Sequence, residues 1–236
     1  MATFVLIHGA GSDGWYWHRL RPLLEAAGHE TVAVDLPVDD DTADFGTYTD
    51  VVVAAVGGRP GLVVVGQSLG GFTAPLVADR LGADLLVLVA AMIPRPGESG
   101  GDWWANTGHE DAYVAKAIED GRDPEDGSPE AVFVHDLDPD LVAASLEHVK
   151  EQSGAPFADP WPLTAWPDVP TRVVIARDDR FFPADFQRRV TAERLGLTPD
   201  EVPGGHLPAL AQPEALAERL LAYVDELAEP ANGTSC

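Results

Sequence analysis

The stretch Leu62-Val63-Val64-Val65-Gly66-Gln67-Ser68-Leu69-Gly70-Gly71-Phe72 decides the fold. Four consecutive apolar residues read as a strand buried on both faces, as in a parallel sheet covered by helices. Gly66-Gln67-Ser68-Leu69-Gly70 then matches G-x-S-x-G, and a helical pattern runs on to Leu81. A sharp strand-to-helix turn strains the serine backbone and lifts its Oγ above the sheet. The flanking glycines let strand and helix approach closely. The helix N-terminus also favours negative charge developing nearby. Gly-rich chains produce the bare pattern by chance; the strand before it and the helix after it make it specific.

Working outward, the spacing predicts strands at Phe4–Ile7, Thr31–Val34 and Leu85–Ala90, with helices over Trp17–Ala27 and Tyr48–Val56. Gly28 stands where a helix-terminating glycine is expected. Strands alternating with helices imply βαβ crossovers and a parallel sheet with helices on both faces. From Pro94 to Pro167 the pattern changes to Gly, Pro and acid, with one or two helices expected, the clearest over Pro139–Gln152. Between Glu98 and Asp140 there are 13 acidic residues against two basic ones, which reads as a solvated surface. Alternation resumes with a strand at Thr171–Ala176, a helix over Ala184–Leu195, a short strand near Glu201-Val202 and a closing helix over Pro213–Leu227. That closing helix is expected to bury Leu216, Leu220, Val224 and Leu227, and residues 229–236 are expected to fray. The chain therefore reads as one α/β domain over residues 1–236, with core 1–93 and 168–228 and a cap insertion, 94–167, after the fourth strand.

Its 236 residues carry 45% hydrophobic and 23% charged side chains, ordinary globular values. The net charge of −24 repels phosphate backbones and anionic membrane surfaces, so neither nucleic acid nor membrane is an expected partner. The single cysteine, Cys236, excludes an intrachain disulfide scaffold. No apolar run approaches the roughly 20 residues that span a bilayer, and no basic-then-apolar targeting pattern opens the chain. A cytoplasmic protein is expected. Arg greatly outnumbers Lys, a bias of GC-rich bacterial genomes. A homodimer is left open.

A serine hydroxyl needs a base to become nucleophilic. Among seven histidines, His206 is the best placed, since Gly204-Gly205 and a short strand precede it and a long helix follows. It can sit at the C-terminal edge of the sheet, where open α/β sheets bind ligands. His8 and His29 fall at a loop start and a helix–strand turn, His18 and His148 inside helical patterns, and His109 and His135 in the insertion, at its surface or lining a pocket. The base needs an orienting carboxylate, and Arg177-Asp178-Asp179-Arg180 offers two at a strand end. The order Ser, Asp, His along the chain distinguishes one class of serine hydrolases from the others. Small residues in His8-Gly9-Ala10-Gly11 allow close backbone approach, making the Ala10 and Leu69 amides the natural oxyanion donors.

Phe4-Val5-Leu6-Ile7-His8-Gly9-Ala10-Gly11, Gly66-Gln67-Ser68-Leu69-Gly70-Gly71, Asp179-Arg180-Phe181-Phe182-Pro183 and Gly204-Gly205-His206 together resemble the α/β-hydrolase superfamily. The branch most similar is the small cofactor-free one of plant methylesterases and hydroxynitrile lyases, which Leu23-Leu24-Glu25-Ala26-Ala27-Gly28-His29 and Phe186-Gln187 also resemble. The similarity covers about residues 3–93 and 170–227, and the insertion matches poorly. The resemblance implies a mainly parallel sheet, no cofactor, Ser68 as nucleophile, His206 as base, Asp179 as its orienter, and Ala10 and Leu69 as oxyanion donors. Asp179 also fits because Pro183 follows it at the family spacing, and adjacent side chains on an extended strand end point opposite ways. Asp178 is then expected to pair with Arg177, Arg180 or solvent. The resemblance also implies a lysine after the base in hydroxynitrile lyases; Leu207 stands there, so lyase activity is not expected.

These readings converge on a serine esterase acting on a small, neutral carboxylic ester through an acyl-enzyme on Ser68. The same machinery could open a thioester, a lactone or a C–C bond, and a non-catalytic ligand-binding protein on this fold is the competing class. Dehalogenase and epoxide-hydrolase chemistry requires a carboxylate nucleophile. No H-E-x-x-H, P-loop or dinucleotide glycine pattern is present, so no metal or cofactor is expected. Trp103, Trp104, Phe133, Phe157 and Trp161 are the candidate pocket residues, about half of them expected to anchor the cap instead.

Overall fold

The alternation along the strands builds the core. In β1 (Thr3–Ile7), Phe4 and Leu6 face one side of the sheet while Val5 and Ile7 face the other. In β3 (Leu62–Gln67), Val63 and Val65 join the first layer and Leu62 and Val64 the second. All five β1 and all six β3 residues are buried. The computed structural model describes residues 1–228. The tail expected to fray lies outside the described residues.

The sheet also includes β2 (Glu30–Ala33), β4 (Leu85–Val89), β5 (Thr171–Ala176) and β6 (Asp200–Val202). Its six strands run in the order β2-β1-β3-β4-β5-β6, and every pairing is parallel. One face packs on α1 (Arg21–Ala26), the short α9 (Pro208–Ala211) and α10 (Pro213–Ala228) through Leu20, Leu24, Leu210, Leu216, Leu220 and Tyr223. The other packs on α2 (Phe45–Val56), α3 (Gly70–Leu81) and α8 (Ala184–Leu195) through Val52, Phe72, Val77, Phe186 and Val190. Burying each such side chain stabilises the fold by about 1.5–3 kcal/mol before entropy is counted.

Several boundaries differ from the sequence reading. The expected helix over Trp17–Ala27 is split into a 3-10 turn at Gly14–Trp17 and α1. Pro22 has no N–H for an i−4 bond, so it opens a helix rather than continuing one. α2 starts at Phe45 because the Asp44 side chain accepts the Thr47 N–H at 2.7 Å. In α10, Leu216 and Leu220 are buried but Leu227 is 44% exposed, so the expected apolar face stops short.

Between β4 and β5 the chain forms four helices rather than one or two: α4 (Gly100–Thr107), α5 (His109–Glu119), α6 (Pro129–Val132) and α7 (Pro139–Leu146). Ser99, Ser128 and Asp138 each cap one of them through a side-chain oxygen. Asp102, Glu110, Asp111, Glu130 and Asp140 lie in first turns, where the helix dipole favours carboxylates. Much of the acidic run is therefore helix-start chemistry. α7 ends before Gln152 because the following residues turn back to the sheet edge: the Lys150 N–H donates to Gly11 O at 3.0 Å and the Ser153 N–H to Val38 O at 2.7 Å. Two further ties reach α3 and α8. Trp161 donates its indole N–H to Phe72 O at 2.9 Å, and Arg194 pairs with Glu98, both side chains buried. Burial alone would push the Glu98 carboxyl up; Arg194 and Asn106 outweigh it and hold it below the usual range.

No helix among the described residues is long and apolar enough to cross a membrane.

Candidate active site

Ser68 follows the last residue of β3 and precedes α3. Its φ is +52°, in the left-handed region that non-glycine residues rarely occupy. Strain of this kind costs about 1–3 kcal/mol and persists only where the surroundings over-determine it. Here the Ser68 N–H donates to Val89 O at 3.3 Å, and its carbonyl accepts the Gly71 and Met92 N–H groups at 3.0 Å each. A Cβ on Gly66 would lie 2.6 Å from Ala74 Cβ, and one on Gly70 2.8 Å from Ile7 O. Neither position admits a side chain, which fixes the turn as Gly-x-Ser-x-Gly, and a Cβ on the next residue, Gly71, would lie 1.9 Å from Met92 O.

Asp179 lies just beyond β5 and His206 just beyond β6. The Ser68 hydroxyl is 3.0 Å from His206 Nε2, and His206 Nδ1 is 2.9 Å from Asp179 Oδ2. Asp179 Oδ1 accepts the Phe181 and Phe182 N–H groups at 2.8 Å each, and Gln187 Nε2 approaches Oδ2 at 3.4 Å. A carboxylate held by two amides accepts rather than donates. It therefore keeps the proton on His206 Nδ1 and leaves Nε2 free to accept from Ser68. Phe133, Phe181 and Phe182 present edges to the His206 ring at 5.5, 5.2 and 5.0 Å between centroids. All three polar side chains are nearly buried.

Neither the Ala10 nor the Leu69 N–H has a hydrogen-bond partner among the described residues, and both residues border the same cavity as Ser68. His8, next to that loop, is spoken for: Nδ1–H donates to Gly9 O at 2.8 Å and Nε2 accepts the Leu36 N–H at 3.2 Å. Burial pushes its pKa down, so it is held neutral.

The cavity measures about 440 Å³, with Ser68 and His206 on its wall. Trp104, Phe133 and Phe157, from the segment between β4 and β5, line it. Trp103 and Trp161 do not. Both are buried in the core, their indole N–H groups donating to Ile93 O at 3.1 Å and Phe72 O at 2.9 Å. A large ring with a polar tip packs inward when a carbonyl is within reach. Leu207 is on the wall, and residues not singled out from the sequence complete it, chiefly Trp15, Met92, Phe181 and Leu210. Phe181 was visible in the Asp179-Arg180-Phe181-Phe182-Pro183 stretch; the others had no signal beyond being apolar. Leu146 and Val149, 60% and 65% exposed, also line the cavity at its open side.

Of the other histidines, His18, His29, His109 and His148 have structural partners, His29 Nδ1 accepting the Ala2 N–H at 3.0 Å, whereas His135 Nε2 is buried with no hydrogen-bond partner among the described residues. His109 shares a hydrogen bond with Phe181 O at 2.8 Å, and His18 with Trp15 O at 2.9 Å. His148, beyond the end of α7, stacks on Trp15 at 4.4 Å and meets Asp13 at 3.0 Å. Asp178 pairs with neither arginine. Arg180 donates to Ala131 O and Arg177 faces Glu201, while the Asp178 carboxylate accepts the Gly204 N–H at 3.1 Å. Gln67, also missed, donates from Nε2 to His206 O at 3.0 Å. Among the described residues no cluster of three or more His, Cys, Asp or Glu is arranged to hold a metal ion.

Comparison with known proteins agrees with this architecture. A family model described as "Alpha/beta hydrolase family" matches residues 4–219. Methylesterase 8 of Arabidopsis thaliana is 25% identical over 94% of this chain and 89% of its own length. Pyrethroid hydrolase of Sphingobium wenxiniae is 27% identical over 97% of this chain and 90% of its own. The crystal structure of polyneuridine aldehyde esterase superposes with a TM-score of 0.76 at 22% identity, covering 94% of this chain and 99% of that one. The family match spans most of the chain, and the relatives that align along its length are esterases and hydrolases: this chain belongs to the alpha/beta hydrolase family.

Proposed function

We propose that this protein is a serine esterase that cleaves a small, neutral carboxylic ester. The observation that carries the reading is the relay Ser68–His206–Asp179, opening into an apolar cavity beside two unpartnered amides. In the forward reaction His206 Nε2 takes the Ser68 proton as Oγ attacks the ester carbonyl. The developing oxyanion is held by the Ala10 and Leu69 N–H groups, each such donor typically contributing about 10²–10³ in rate. The imidazolium returns its proton to the departing alkoxide, releasing the alcohol and leaving an acyl group on Ser68. Water, deprotonated by His206, attacks the acyl carbonyl and releases the acid. Asp179 stays ionised and stabilises the imidazolium through both half-reactions. No step calls for a cofactor.

The full-length relatives named as a methylesterase and a pyrethroid hydrolase support an ester as the substrate class. A volume of about 440 Å³ sits at the small end of ligand pockets, and the lining is mainly apolar. The net charge of −24 disfavours multiply anionic esters. Leu207, on the cavity wall, provides no charge for a departing cyanide.

A panel of small p-nitrophenyl esters and thioesters tests the reading. Wild-type protein turns over neutral esters fastest, and Ser68→Ala loses on the order of 10⁴–10⁶ in kcat while remaining folded. More than a tenth of wild-type turnover in a folded Ser68→Ala variant sinks the assignment. Saturable binding of a small apolar ligand with no turnover of any panel member favours a binding protein instead.

A further inference from the structure

The turn that carries His206 is held from three directions by groups that touch no reacting atom. From the β5 edge, the Asp178 carboxylate accepts the Gly204 N–H at 3.1 Å, and the Asp178 N–H donates to Gly204 O at 3.0 Å. From beneath, Gln67 fixes the His206 carbonyl at 3.0 Å. The third contact comes from the segment between β4 and β5: Asp136 Oδ2 accepts the Gly205 N–H at 2.6 Å, across 69 residues of sequence. Gly204 has φ +96°, a conformation open to glycine but not to residues with a Cβ, so the turn is flexible in itself and depends on these contacts for its shape. Gly205 is pressed against the same acid and its neighbour. A Cβ there would lie 2.7 Å from His135 Nε2 and 3.0 Å from Asp136 Oδ1. The tight fit means that the Gly205 amide has one place to point.

We infer that Asp136 is a positioning residue for the base: through the Gly205 amide it sets the His206 backbone so that Nε2 meets the Ser68 hydroxyl. The inference rests on the proposed roles of Ser68 and His206. A hydrogen bond to an ionised acceptor is shorter and stronger than a neutral one, and 2.6 Å is at the short limit for this type. Its loss leaves a buried donor unpaired beside the base, and the turn relaxes to satisfy it. His206 then keeps its Asp179 contact but spends less time in line with Ser68 Oγ. Orientation errors of this size act on the chemical step, not on substrate affinity. Asp136 is not on the cavity wall, so substrate contacts do not change with it. The segment that contributes Phe133 and Trp104 to the cavity thus also helps to place the base, and seating of that segment and alignment of His206 are linked by one hydrogen bond.

The test compares wild type, Asp136→Ala and Asp136→Asn for ester turnover and for the rate at which a fluorophosphonate labels Ser68, with Ser68→Ala as the control. Asp136→Ala is expected to lower kcat and the labelling rate about tenfold with KM within about twofold, the consequence of losing one charge-assisted bond. Asp136→Asn keeps an oxygen acceptor for the Gly205 N–H and recovers most of the loss. If the alanine variant does not fold, Asp136→Ser, whose oxygen stops short of that amide, carries the same expectation. A raised KM with unchanged kcat, or labelling at the wild-type rate, overturns the positioning role, and so does an Asp136→Asn variant as impaired as the alanine. If the Ser68→Ala control itself is labelled or active, it is the nucleophile assignment that has failed, not the role of Asp136.

Discussion

The sheet edge and the segment above it are built to different tolerances. At the edge, β3 is buried along its whole length, Ser68 is held in a strained conformation by three backbone hydrogen bonds, and Asp179 is gripped by two amides. Above it, α7 has no buried residue, and Leu146 and Val149 stand more than half exposed on the rim of the cavity. The contrast separates two demands that the proposed reaction makes. Aligning a nucleophile, a base and a carboxylate tolerates errors of only tenths of an ångström, which rigid strand ends provide. Admitting and shaping around a small apolar substrate requires surface that can move, and lightly packed helices open at low free energy.

The largest effect that could break this comparison lies at the edge itself. Asp179→Asn removes the carboxylate that fixes the His206 tautomer, a change worth about 10⁴ in kcat in the well-studied serine proteases. Asp178→Asn keeps an oxygen for the Gly204 N–H and should stay within about tenfold of wild type, an upper bound set by one surface hydrogen bond. Assaying the pair on one ester decides between the adjacent acids; a dead Asp178→Asn beside a normal Asp179→Asn would reverse their roles.

Two neighbouring tryptophans sharpen the comparison from the other side. Trp103 is fully buried, and Trp103→Ala should destabilise the protein by about 3–5 kcal/mol, read by denaturant unfolding. Trp104 lines the cavity, and Trp104→Ala should lower kcat/KM for bulky esters about tenfold, with a smaller loss of stability. Equal stability losses and unchanged kinetics in both would mean that the segment is core throughout and shapes no pocket.

The smallest effect concerns pH. Burial depresses the His8 pKa below its unfolded value of 6.5. Above that value the folded and unfolded forms are both neutral and His8 has no pH effect. As pH falls through it, the unfolded chain takes up a proton that the folded chain refuses, so stability declines. His8→Gln keeps an acceptor for the Leu36 N–H without titrating. The drop in Tm between pH 7.5 and 5.5 should therefore be smaller in His8→Gln than in wild type; an identical drop would place the acid sensitivity elsewhere.

What could be read from the sequence follows the same division. The strands, their parallel pairing and the elbow were legible because the determinants are local: alternating apolar residues, and glycines packed where no Cβ fits, as at Gly66 and Gly71. Ser68, Asp179 and His206 stand at the ends of three such strands, and the structure brings them within hydrogen-bond reach. The segment from Pro94 to Pro167 was not legible in the same way. Trp103 and Trp104 are adjacent in sequence, but about 100° of helical rotation sends one to the core and the other to the cavity. The end of α7 depends on bonds from Lys150 to Gly11 and from Ser153 to Val38. The partners of Asp178 and Asp136 are amides 26 and 69 residues away. No period or motif in the sequence marks these two pairings.

The central claim is that Ser68 becomes acylated during turnover. Wild-type protein mixed with an ester that deacylates slowly, quenched in acid within the first turnover, should gain the mass of one acyl group on the peptide that contains Ser68. Ser68→Ala, treated identically, should gain none and release no alcohol. An adduct on another residue, or alcohol released by Ser68→Ala at the wild-type rate, would contradict the account.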